Sequence, residues 1–196
     1  EAENEEYLVE LKYDDMVENP RVYRDMPSVF VEWSRDYPLG DIKLERGVYD
    51  SSWEAFEEHF LKRGLSFNEV VYLNVYMLDH SGIALNTRGF ASAWDSGQVG
   101  FIYMPIEEAR ECYGNEIGLD ELKKIMEEEI AELSKWANGE TYYFTVKKKE
   151  SCERCGHKRH LSENSYGGYI GMNNNLWDEV ALYAGSELMQ ELKKAV

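Results

Sequence analysis

Two short segments hold the residues best suited to chemistry, Asp79-His80-Ser81-Gly82 and Trp94-Asp95-Ser96-Gly97-Gln98. Asp79, His80 and Asp95 are the candidate catalytic residues, because a histidine held by a carboxylate is the smallest unit that can move protons near neutral pH. Two aspartates and a histidine could also hold a divalent metal. Ser81, Trp94, Ser96 and Gln98 extend the set to a candidate ligand-binding site, since an indole beside polar loop groups can stack on a planar ring. A plainer role suits the same residues. Asp and Ser side chains bond to backbone N–H groups in tight turns, and glycine takes the positive φ such turns need. Turn formation stands slightly ahead of a binding or catalytic role.

A second constellation runs from Cys152 through Cys155 and His157 to His160. C-x-x-C-G is the shape of a zinc knuckle, so Cys152, Cys155, His157 and His160 are candidate zinc ligands. Four ligands so close in sequence crowd a tetrahedron. A reduced hairpin tip or a redox pair are the alternatives. Lys147 to His160 contains six Lys or Arg and two Glu, a local +4. No P-loop, dinucleotide-binding glycine pattern, G-x-S-x-G elbow or H-E-x-x-H occurs.

These residues need elements to position them. Glu69–Leu78 is the best strand in the chain, dense in Val, Tyr and Leu, and Gln98–Met104 is the second. If the two pair as antiparallel neighbours, both polar segments lie at one sheet end, as the two ends of one loop. Tyr7–Tyr13 alternates like a half-exposed strand, Val29–Trp33 and Thr141–Val146 also read as strands, and a Gly-rich stretch follows at 166–169. Ser51-Ser52 can cap a helix from Trp53 to Lys62 that Gly64 ends, with Trp53, Phe56, Phe60 and Leu61 buried. A short helix spans Pro105–Cys112, with Cys112 a small buried hydrophobe. Gly118–Ala137 repeats apolar residues at three- and four-residue steps, with Glu127–Glu129 facing water. A last helix starts near Asn175. The fold class expected is α+β: a single domain over 1–196, a mainly antiparallel sheet packed against two or three helices, and a candidate C-x-x-C hairpin-tip insertion at 147–163.

Charge limits the function classes. The chain of 196 residues carries 38 Asp and Glu against 21 Lys and Arg, a net charge of -17. Such a surface repels nucleic acid phosphates and anionic membranes, so direct nucleic acid binding is disfavoured and no membrane role is expected. It suits either plain solubility or a decoy that occupies a basic cleft of a DNA-handling protein. Hydrophobic residues at 43% supply a core, and no apolar run reaches membrane-span length. The acidic start is unlike a signal peptide, so a cytoplasmic location is expected.

Tyr13-Asp14, Glu18-Asn19-Pro20-Arg21 and Tyr37-Pro38-Leu39-Gly40-Asp41 resemble the opening of a family of small uncharacterised phage and prophage proteins. Leu78 to Ala84 with Trp94 to Tyr103 resembles that family's central signature, and Ser165 to Gly171 its closing motif. The family's closing form has a Cys and a Trp before the glycine, where Ser165 and Tyr166 stand here. The resemblance implies a setting and no reaction. In that setting the expected function is counter-defence: a non-enzymatic acidic inhibitor that binds a basic host nucleic-acid-handling protein, a restriction or CRISPR-like nuclease or defence complex. The alternatives are a nucleotide or small-molecule binding protein or hydrolase built on Asp79, His80 and Asp95, and a phage structural or assembly module.

Overall fold

The computed structural model describes all residues except Tyr23, Arg24, Arg35, Arg46, Ala93, Glu153, Gly156 and His157, with backbone alone for Ser151 and residues 158–162. In chain order its strands are β1 (Ala2–Glu3), β2 (Tyr7–Tyr13), β3 (Val29–Glu32), β4 (Ile42–Lys43), β5 (Val70–Asp79), β6 (Ile83–Asn86), β7 (Ser96–Pro105), β8 (Thr141–Ser151) and β9 (Lys158–Ile170). Its helices are α1 (Ser52–Arg63), α2 (Ile106–Tyr113), α3 (Leu119–Ala137), α4 (Asn174–Ala184) and α5 (Ser186–Ala195). The α+β class with mainly antiparallel sheets is what the structure shows. The chain divides into two compact units, Glu1–Val17 with Gly139–Val196, and Glu18–Asn138. No helix among the described residues is long and apolar enough to cross a membrane.

The first unit is an antiparallel sheet in the order β1-β2-β8-β9. Val9, Phe144 and Val146 pack against Leu176, Trp177, Val180, Leu188 and Leu192 of α4 and α5. The expected single C-terminal helix is two helices, because Gly185 sits at φ 91° and ψ 152°, outside the helical region. The Gly-rich stretch at 166–169 lies within β9, and Asp14 bonds it: the Gly168 N–H donates to Asp14 Oδ2 at 3.1 Å.

The second unit is a five-stranded sheet in the order β4-β3-β7-β5-β6, with β3–β4 parallel and the other pairs antiparallel. Helix α3 covers one face. Leu122, Met126, Ile130 and Leu133 meet Phe30, Val71, Val75, Ile102 and Met104. Helix α1 covers part of the other, where Phe56 and Phe60 meet Val31, Phe101 and Tyr103. Ser51 caps α1 by accepting from the Glu54 N–H, and Gly64 closes it at φ 68°.

Several sequence expectations change here. Leu61 is 79% exposed and Trp53 is 54% exposed. The buried stripe of α1 is Ala55, Phe56, His59 and Phe60, and Leu61, four residues after Glu57, falls on the solvent side of that stripe. Cys112 is exposed. Glu129 is buried, not wet: Arg21 Nη1 reaches its Oε2 at 2.8 Å. Arg21 also binds Asp41 through Nε and Nη2, and the Asn19 amide donates to the carbonyls of Pro38 and Leu39. The Asn19–Arg21 and Tyr37–Asp41 segments are thus two halves of one clamp. Gly40 belongs to it, because a Cβ there would lie 2.7 Å from the Phe30 carbonyl.

Candidate functional site

Strands β5 and β7 pair antiparallel, so Leu78 faces Ser96 and the two polar segments meet at one sheet end. The connection is not one loop, however. It contains β6, which pairs with the other edge of β5. Asp79 and Ile83 are paired, leaving His80-Ser81-Gly82 as the turn. The His80 N–H donates to the Gly82 carbonyl at 3.1 Å, and Ser81 takes φ 60°, the one positive value at a non-glycine among the described residues. A Cβ on Gly82 would meet Asn138 Oδ1 at 2.5 Å, so any larger residue there would have to turn the Asn138 amide aside.

The Asp79 N–H donates to the Asp95 carbonyl at 3.0 Å, which fixes the two aspartates side by side. Their carboxylates are held by side chains. His80 Nδ1 lies 3.1 Å from Asp95 Oδ2, and the Tyr37 hydroxyl lies 3.4 Å from Asp79 Oδ2. The Asp79 charge pushes the Tyr37 phenol above its ordinary pKa, so Tyr37 stays a donor. Turn formation therefore belongs to the backbone of 79–83, and among the described residues both carboxylates bond to side chains rather than to the turn.

A cleft of about 410 Å³ opens at this sheet end. Of the candidate residues, Asp79, Trp94, Asp95, Ser96 and Gln98 line it, together with Trp33, Asp36, Tyr37 and Met77, which the sequence did not single out. Trp94 is 95% exposed. His80 and Ser81 are not among the lining residues; His80 touches Asp95, which is. Ser96 donates its hydroxyl to the Ser92 carbonyl, and Gln98 donates its amide to Asn74 Oδ1 and the Gly100 carbonyl. Tyr37 was visible only as part of the Tyr37–Asp41 motif, and its sequence neighbourhood carries no sign that it reaches Asp79. No three His, Cys, Asp or Glu side chains among the described residues converge as a metal would require.

Cys152 and Cys155 lie exposed, as free thiols, between β8 and β9. The backbone N–H of Arg154, and then the Cys155 thiol, hold the Cys152 thiol below its ordinary pKa. Of the other candidate zinc ligands, His157 lies outside the described residues and so does the His160 side chain. Comparison of the chain with protein-family models, curated proteins and solved structures finds no match.

Proposed function

We propose that this is a non-enzymatic acidic binding protein whose partner is a basic protein, and that the cleft between Asp36, Asp79, Asp95 and Trp94 receives a cationic side chain of that partner. The observation that carries this reading is the pairing of carboxylates with aromatic faces in one open cleft. A guanidinium fits both, by bidentate bonds to carboxylate and by stacking on an indole. The net charge of -17 supports the same reading, because it draws in a positively charged surface and repels phosphates. The partner class this chemistry favours is a nucleic-acid-handling protein with a basic cleft. The resemblance to phage proteins supports host defence as the setting, with a restriction or CRISPR-like protein as the target.

The test uses an acetylated tri-arginine peptide and its tri-lysine and tri-glutamine counterparts, followed by tryptophan fluorescence and calorimetry. Saturable binding in the order arginine, lysine, glutamine is expected, with about tenfold loss in Asp79→Asn or Asp95→Asn and in Trp94→Ala. Equal binding of the neutral peptide sinks the proposal. The 3.1 Å His80–Asp95 pair favours one second reading, a hydrolase with His80 as base. Hydrolysis of a nucleotide or ester that His80→Ala abolishes would replace the binding role.

A further inference from the structure

We propose a second ligand site on the α1 side of the five-stranded sheet, sharing only Gln98 with the cleft and built to take the base of a neutral nucleoside with an adenine-type edge. It starts with one irregularity in β7. Val75 faces Gly100 but Tyr76 faces Gln98, so Val99 is an extra residue opposite β5. In an unbroken ladder Gln98 would share the α3 face with Gly100 and Ile102. The bulge turns it to the opposite face, beside Asn74.

The polar pair so formed has a defined free edge. Gln98 Nε2 donates to Asn74 Oδ1 at 3.2 Å and to the Gly100 carbonyl at 3.3 Å. That leaves Gln98 Oε1 as an acceptor and the Asn74 amide nitrogen as a donor on one hydrogen-bonded pair of amides. An acceptor beside a donor complements a base edge that sets an amino N–H beside a ring nitrogen, as in adenine N6 and N7. A guanine N7/O6 edge offers two acceptors and would leave Gln98 Oε1 facing another oxygen.

Aromatic rings supply the platform. Ser52, Trp53, Phe56, Tyr72, Asn74 and Gln98 line a cavity of about 220 Å³. Trp53 stacks on Phe67 at 5.1 Å and 4°, which fixes the indole while leaving it half exposed. Phe56, behind it, is buried. Bases stack on such rings whatever their sequence, and the amide edge then selects among them. Asn74 interrupts the most apolar strand of the chain, where packing alone would favour another Val or Tyr. Glu54, Glu57 and Glu58 on α1 and the overall negative charge disfavour a phosphate, so the ligand is a nucleoside and not a nucleotide.

The full chain would be titrated with adenosine by calorimetry and by saturation-transfer NMR, with guanosine, adenosine 5′-phosphate and methyl glucoside as comparisons. Adenosine is expected to bind saturably, with strongest transfer to its base protons. Guanosine and the 5′-phosphate should bind at least about tenfold more weakly. Asn74→Asp, which turns the donor into an acceptor at an exposed position, should lower adenosine affinity about tenfold with an unchanged far-UV spectrum, as should Trp53→Ala. Leu61→Ala on the outer side of α1 and Asp95→Asn in the cleft should leave it unchanged. No saturable adenosine binding, equal binding of guanosine, methyl glucoside binding in its place, or full affinity in Asn74→Asp would each overturn the proposal.

Discussion

At the scale of single residues, His59 is the clearest titrating group in the core. It lies buried among Phe60, Phe101 and Tyr103, with Nε2 3.2 Å from the Tyr103 hydroxyl. Burial first, then the charges of Arg63 and Lys62, push its pKa down to about 4. The folded state therefore holds His59 neutral, while the unfolded chain takes up a proton below about 6.5. Stability of the Glu18–Asn138 unit should be intact above that pH and fall as pH drops from about 6.5 to about 4, by up to roughly 3 kcal/mol. Urea melts read by near-ultraviolet dichroism at several pH values check this. His59→Gln should melt earlier at pH 7 but show a flatter profile across the window. In the other unit Glu10 behaves with the same sign at lower pH. Hydrogen bonds from Lys147 and then Lys12 hold its carboxyl at about 2, so its contribution is present above about 4.5 and is lost as pH falls towards 2.

At the scale of elements, the bulge in β7 decides where the site groups point, and Gly100 beside it lets β3 lie close against β7. A Cβ on Gly100 would lie 2.2 Å from the Val31 carbonyl and 2.7 Å from a Phe30 ring carbon. Neither neighbour can give way, since β3 pairs with β7 through those same residues. Gly100→Ala should cost about 2–3 kcal/mol in urea melts, an overpacking effect. Gly97→Ala in the same strand meets nothing within 4 Å and should stay within about 0.5 kcal/mol. This contrast also marks what the sequence can disclose. Strands β5 and β7 and helix α3 were legible because apolar residues repeat at the period of the element, and the meeting of Asp79 with Asp95 followed from their pairing. The bulge was not legible, because one extra residue leaves the run Val99 to Met104 looking like any buried strand. Strand β6 is too short to show a period. Glu129 read as solvated because its partner Arg21 is 108 residues away, and no local pattern announces so distant an ion pair. Tyr37 and Asp36 entered the cleft in the same hidden way, from a segment whose own residues signal only a turn.

At the scale of the whole molecule, charge acts in two directions that salt can separate. Glu18–Asn138 carries 23 acidic against 12 basic residues, so most of the net charge of -17 falls on the unit that holds the cleft. Like charges on a folded chain repel one another, and screening relieves that repulsion. Raising salt from about 0.02 to about 0.3 M shortens the screening length from roughly 20 Å to below 10 Å. The free protein should then gain about 1 kcal/mol, which is a rise of roughly 2–4 °C in Tm for a chain of this size. Binding of a basic partner should move the other way. Its association rate depends on attraction acting across solvent, so the same change in salt should slow association at least about tenfold and alter dissociation far less. Thermal melts and stopped-flow mixing with the tri-arginine peptide measure the two effects on one sample. If salt raised Tm but left association unchanged, the acidic surface would serve solubility alone and would not steer a partner.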